Sequence, residues 1–164
     1  MITYSDGEGS EAGVGVGIWA RSLAHPQAGY MQIPPCIRDL WRCQRCSRGE
    51  RHDIFEIEAI GPLIALCTWP GVIAGALWMH FIDNDAALSV MVRGSGTVHS
   101  ADIIAGMVWD RVAFLQCRPW FERVESAANP VDGLSRGKLD GAWSLIELTL
   151  LEDLHDKLRD AQSL

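Results

Sequence analysis

The chain has 164 residues, of which 48% are hydrophobic and seven are tryptophan. This length and composition predict one domain with a substantial core and exclude a disordered chain. No apolar run approaches the roughly 20 residues of a membrane span, and nothing after Met1 resembles a signal peptide. We therefore expect an intracellular protein, cytoplasmic or nuclear, with no membrane partner. The formal net charge is −7, yet residues 36–52 hold five arginines against two acids, so the total charge does not exclude a polyanionic partner.

The first third of the sequence predicts three antiparallel strands. Residues 2–6 are a β-rich start that ends on Asp6. In residues 13–19 glycine alternates with valine or isoleucine, which predicts a strand whose glycine face packs closely against another segment. The glycine spacing is not G-x-G-x-x-G and no helix follows, so a dinucleotide-binding loop is rejected. Residues 28–33 supply the third strand, which two prolines end.

Residues 34–53 are expected to form a loop, with a short helical turn near residues 37–41. One interpretation is an arginine-rich surface loop whose Arg42 and Arg45 contact phosphates. The alternative is a Cys₃His zinc site, which the irregular ligand spacing disfavours. Five cysteines in a chain of this length do not resemble a disulfide framework and fit a reducing compartment. The candidate zinc ligands are Cys36, Cys43, Cys46 and His52.

A helix is predicted over residues 54–66. At 100° per residue its isoleucines and leucines gather on one side, and Glu56 lies at the edge of that side. Glu58 points nearly opposite and is expected to be solvated. A buried Glu is costly unless it is paired or binds a metal, so Glu56 is the functional candidate. Pro62 is expected to kink the helix.

The next strand, residues 77–82, is largely apolar, as suits a strand covered on both faces. It ends on Asp83, at the edge where open α/β sheets place ligands. Asn84 is predicted to cap a helix over residues 84–92.

Ser100 is predicted to cap a longer helix that reaches about residue 116. A last strand follows at residues 120–125, and a helical segment over 131–135 has Asp132 at its start. The tail, residues 138–164, has apolar residues at helical spacing and is expected to be an amphipathic helix that packs on the same domain.

These elements predict an α/β fold with a mixed five-stranded sheet, three antiparallel strands then two parallel, and helices on both faces. If the first and fourth strands are adjacent and parallel, Asp6 and Asp83 emerge side by side, and Glu56 reaches them from the covering helix. Clustered carboxylates repel one another, so we expect two Mg²⁺ ions, or Mn²⁺, to neutralise the site and to clamp a phosphodiester.

Four segments with acids stand in order along the chain: Tyr4-Ser5-Asp6-Gly7, Phe55-Glu56-Ile57-Glu58-Ala59-Ile60, Phe81-Ile82-Asp83-Asn84 and Asn129-Pro130-Val131-Asp132-Gly133-Leu134-Ser135-Arg136. Together they resemble a ribonuclease H domain, most closely those of the reverse transcriptases of long-terminal-repeat and related retroelements. The resemblance spans residues 2–137. Residues 125–129 lack a histidine that many relatives carry there, so turnover is expected to be slow.

The resemblance implies metal-dependent endonucleolytic hydrolysis of the RNA strand of RNA–DNA hybrids by a two-metal-ion mechanism, and a fused or associated reverse transcriptase domain. It assigns the catalytic, metal-binding role to Asp6, Glu56, Asp83 and Asp132. Two alternatives remain: a catalytically silent ribonuclease H-like module that serves a reverse transcriptase as a structural or hybrid-binding part, and another nuclease of the same fold. The candidate substrate-binding residues are Ser5, Gly7, Asn84, Arg42, Arg45, Asn129 and Arg136.

Overall fold

The computed structural model describes residues 1–9, 12–44, 54–135, 138 and 142–160. The described residues form an α/β fold around one mixed sheet of six strands, in the order β5-β4-β1-β2-β3-β6. The strands are β1 (Ile2–Glu8), β2 (Gly13–Trp19), β3 (Gln27–Gln32), β4 (Leu77–Ile82), β5 (Arg118–Arg123) and β6 (Ser144–Leu145).

The strand pairing confirms the central topological prediction. β1, β2 and β3 are antiparallel neighbours, and β4 lies parallel to β1 on one side and parallel to β5 on the other. The prediction of five strands was wrong, because the short strand β6 pairs in parallel with β3. Residues 144–145 lie within the predicted C-terminal helix, but they pair with the free edge of β3 instead.

The described residues also form seven helices and one 3₁₀ turn. Helix α1 extends over ten residues, so the expected short turn in a loop was wrong. The C-terminal helix is shorter than predicted, because residues 146–153 are irregular before it begins. No described helix combines the length and apolarity needed to cross a membrane. The helices are α1 (Pro35–Gln44), α2 (Ile54–Thr68), α3 (Pro70–Ile73), α4 (Asp85–Arg93), α5 (His99–Leu115), α6 (Asp132–Ser135) and α7 (Leu154–Asp160), and the 3₁₀ turn is Ser126–Ala128.

Helix α2 lies at the centre of the main core. Every residue from Glu56 to Cys67 is buried, because the sheet covers one side of the helix while α4 and α5 cover the other. Gly61 marks the closest approach to the sheet: a Cβ at this position would lie 2.4 Å from the side chain of Ser5 on β1. Residue 61 and its neighbours one turn earlier on the helix therefore face β1.

The opposite face of the sheet carries a second, smaller core over β1–β3. It consists of Ala28, Val131 and Leu134, with Tyr4 and Trp143 packed against it. The glycine face of β2 makes room for this cluster, since a Cβ on Gly17 would lie 2.7 Å from Val131. The predicted close packing against that glycine face is confirmed.

Candidate metal centre

Three carboxylates meet at the carboxyl ends of β1 and β4. Asp6, Glu58 and Asp83 each offer an oxygen, and these oxygens all lie within 4.8 Å of one another. Two of the acids lie beside each other because of the sheet register: Tyr4 pairs with Phe81, Asp6 lies two residues beyond Tyr4 within β1, and Asp83 follows β4 directly. Side chains two residues apart on a strand share a face, so Asp6 emerges on the face of β1 that Tyr4 shares with the second core.

Glu58 reaches the two aspartates from the other face of the sheet. Its position on α2 is three residues before Gly61, so it lies over the end of β1 rather than in solvent. Gly7 leaves the necessary space, because a Cβ there would lie 2.9 Å from the Glu58 Cδ. The Gly7 backbone N–H also donates a hydrogen bond to the Glu58 carboxylate.

The environment of Glu58 disfavours its charged form. Burial, followed by the negative charges of Asp83 and Asp6, raises the pKa of Glu58 from 4.5 to about 9. A carboxyl group with such a pKa binds a proton at neutral pH unless a cation replaces it.

The donor set fits a divalent cation. The buried oxygens Glu58 Oε2 and Asp83 Oδ1 have no hydrogen-bond partner among the described residues. Unpartnered buried carboxylate oxygens are costly, and a hard cation that prefers oxygen ligands would satisfy them. The three acids could therefore hold a metal ion.

Ser126 holds one of the acids in place. Its hydroxyl donates a 2.9 Å hydrogen bond to Asp83 Oδ2, which leaves Oδ1 turned away from this contact. Ser126 is not among the residues that the sequence motifs indicate. The available signal is its position between β5 and Asn129, in the loop that returns to the site.

Glu56, the predicted helix acid, is not part of this group. Its side chain is fully buried on the other side of α2, where Ser100 Oγ of α5 donates a 2.8 Å hydrogen bond to Oε1. The assignment of Glu56 to the site and of Glu58 to solvent was wrong. Ser100 is not a helix cap either: α5 begins at His99 with Val98 as its N-cap, and Ser100 instead satisfies a buried carboxylate.

Asp132 lies at the start of α6, which packs on β1 and β2, and is partly buried. Asn129 fixes this segment to the site strand. Its side-chain amide donates a 2.9 Å hydrogen bond to the Ser5 carbonyl, and its Oδ1 accepts one from the Val131 N–H. The hydrogen bonds of Asn129 therefore hold Asp132 near β1, although Asp132 is not among the three acids whose oxygens converge. Asn129 itself is buried, and these two hydrogen bonds give it a positioning role, while its contact with substrate stays a prediction.

Two further substrate-binding candidates also have structural roles. Ser5 is buried, and its hydroxyl is hydrogen-bonded to His80 Nε2 at 3.0 Å. Asn84 caps α4, as predicted, by accepting hydrogen bonds from the N–H groups of Ala86 and Ala87.

The arginine- and cysteine-rich segment is described only in part. Cys36 is exposed on α1, and Arg42 and Cys43 lie within the same helix. The remaining predicted residues fall outside the described residues, so the zinc site and the phosphate contacts stay predictions. These residues are Arg45, Cys46, His52 and Arg136.

Comparison with known proteins does not assign a family. No protein-family profile, curated protein or solved structure matches this chain.

Proposed function

We propose that this chain is a metal-dependent endoribonuclease that hydrolyses the RNA strand of RNA–DNA hybrids, as a ribonuclease H. The observation that carries the proposal is the convergence of Asp6, Glu58 and Asp83 within 4.8 Å at the ends of two adjacent parallel strands. A buried glutamate beside two aspartates is costly without a cation, so the arrangement favours a metal site over a structural cluster. In the motif of residues 55–60, the catalytic acid is Glu58 and not Glu56.

The residues of the chain have distinct tasks in this proposal. Asp6, Glu58 and Asp83 hold the metal, and Asp132 completes the site as the fourth acid. Ser126 orients Asp83 through its hydrogen bond, and Gly7 gives Glu58 access to the site. Two Mg²⁺ ions, or Mn²⁺, would supply the charge that stabilises the attacking and leaving oxygens of the phosphodiester.

The acids do not by themselves grip a nucleic acid. We propose that the arginines of residues 36–52 contribute phosphate contacts, and that a fused or associated reverse transcriptase domain supplies further contact with the hybrid. The partner is then an RNA–DNA hybrid whose backbone, rather than its sequence, is recognised.

The test is incubation with labelled RNA–DNA hybrid, double-stranded RNA or double-stranded DNA, each in Mg²⁺ or EDTA. We expect cleavage of the RNA strand of the hybrid alone, only with Mg²⁺, and none with Asp83→Asn. Hybrid binding without cleavage by the parent protein would identify a silent module and refute the proposal. Cleavage of another substrate in preference to the hybrid would identify a different nuclease.

A further inference from the structure

One face of the sheet is apolar and largely uncovered. Helices α2 and α4 pack on the other face, and on this face α6 and Trp143 lie over β1–β3. The part formed by β4, β5 and the adjoining ends of β1 and β2 has no described helix above it. We call this part the open face. Its side chains include Leu77, Trp120 and Trp19, which are 61%, 58% and 49% exposed.

The strand register arranges the open face around one row of side chains. Trp120 of β5 pairs with Met79 of β4, Met79 pairs with Ile2 of β1, and Ile2 pairs with Trp19 of β2. Directly paired residues point to the same face of a sheet, so these four side chains cross four neighbouring strands at one level. Two tryptophans and two aliphatic side chains in a line form a contiguous apolar patch, which on a protein surface indicates an interaction site.

The charges beside this row are self-complementary. On β5, Arg118 and Glu122 flank Trp120 at two residues to either side, so all three point to the open face. Among the described residues the Arg118 side chain has no ion pair or hydrogen bond, whereas Glu122 accepts a 3.3 Å hydrogen bond from Trp120 Nε1. Reversing the direction of the strand about Trp120 exchanges the positions of the positive and the negative group.

We propose that the open face is the contact surface between two copies of this chain. In the proposed dimer the two open faces lie against each other, and the two-fold axis runs between them, parallel to the row of side chains. Each strand then faces the same strand of the partner, which runs in the opposite direction. Trp120 then meets the partner's Trp120, and Arg118 meets the partner's Glu122. An isologous interface of this kind requires one surface that complements itself, and the open face has both an apolar centre and paired charges.

The edge of β5 is a less suitable contact. Pro119 lies on this edge strand, and proline has no N–H to donate to an added strand. The copies are therefore expected to join through sheet faces and not through a continuous sheet.

The proposed interface leaves the candidate metal centre accessible. Ile2 lies four residues before Asp6 on β1, or about 13 Å at about 3.3 Å per residue. The axis therefore runs near the amino ends of β1 and β4, while the acids lie at the carboxyl ends. Dimer formation and metal-dependent hydrolysis are independent in this arrangement, so either can fail without the other.

The test is sedimentation equilibrium or light scattering over a range of concentrations, with no nucleic acid present. We expect a reversible species of twice the 18.1 kDa chain mass. Trp120→Ser should weaken association at least tenfold, about 1.4 kcal/mol. It should leave the melting temperature unchanged at concentrations where the parent is monomeric, since dimer formation itself stabilises the folded state. Phe114→Ser is the matched control: Phe114 is 74% exposed on α5, away from the open face, and its loss should leave association unchanged.

Charge reversal tests the orientation. Arg118→Glu should weaken association because it places like charges together, and adding Glu122→Arg should restore it. A protein that stays monomeric at every concentration would overturn the proposal. A dimer that is insensitive to Trp120→Ser, or one that Phe114→Ser abolishes, would place the interface elsewhere and also overturn it.

Discussion

The pair Glu58 and Glu56 provides the sharpest test of the site, because the two side chains lie two positions apart on one helix and differ in their surroundings. Glu58→Gln keeps the shape but removes a charge that faces Asp6 and Asp83. Hydrolysis should fall by at least a hundredfold, about 2.7 kcal/mol of barrier. Glu56→Gln keeps an oxygen that can accept the Ser100 hydrogen bond, so it should retain activity and lose about 1 kcal/mol of stability.

Stability without metal gives a second, independent result. The pKa of Glu58 is about 9 in the folded protein, against an ordinary value of 4.5, so the unfolded chain releases this proton first as the pH rises. The contribution of Glu58 to stability is fully present below pH 4.5 and is lost progressively towards pH 9. By pH 7 the loss is about 3 kcal/mol at 1.36 kcal/mol per pH unit. Glu58→Gln removes this loss, so in EDTA the variant should be more stable than the parent at pH 7.

The assay is urea unfolding in EDTA at pH 5, 7 and 9 for the parent and both variants. We expect the advantage of Glu58→Gln over the parent to grow with pH. If Glu56→Gln abolishes hydrolysis while Glu58→Gln remains active, the assignment of Glu58 to the site is refuted. A stability difference for Glu58→Gln that does not change with pH would refute the electrostatic argument.

Three further predictions concern the surroundings of the site. Gly7→Ala places a methyl group 2.9 Å from the Glu58 Cδ and should reduce hydrolysis at least tenfold, about 1.4 kcal/mol; full activity in a steady-state assay would contradict the close approach. Burial lowers the pKa of His80 from 6.5 to about 3, so its contribution to stability is present above pH 6.5 and falls by about 2 kcal/mol by pH 5. Urea unfolding should show that His80→Gln loses less stability at acidic pH than the parent does. Equal losses in the two proteins would contradict the lowered pKa of His80. Mg²⁺ at a hundred times its dissociation constant should stabilise the folded parent by about 2.7 kcal/mol and so raise its melting temperature. In a thermal scan, Asp83→Asn should remove most of that increase.

The sequence alone determined the elements whose pattern is local. Alternation at a period of two identified β2 and its glycine face, because that pattern arises from strand geometry and does not depend on distant residues. The apolar run before Asp83 identified the central strand β4, and Asn84 identified the start of α4 through its own side-chain chemistry. From these elements the adjacency of Asp6 and Asp83 could be predicted, because the carboxyl ends of parallel strands meet at one edge of a sheet.

The tertiary structure decided which glutamate joins them. A helical wheel assigns orientation by contrasting an apolar side with a polar side, and α2 has no such contrast, since the sheet buries one side and α4 and α5 bury the other. Gly61 indicates which side of α2 faces the sheet, because it lies against Ser5 of β1. Its meaning depends on how closely the helix approaches β1, and the buried Ser100 that satisfies Glu56 comes from a helix 44 residues away in sequence. The contacts of Gly61 with Ser5 and of Glu56 with Ser100 join residues that are distant in sequence, so the spacing of residues within α2 cannot predict them.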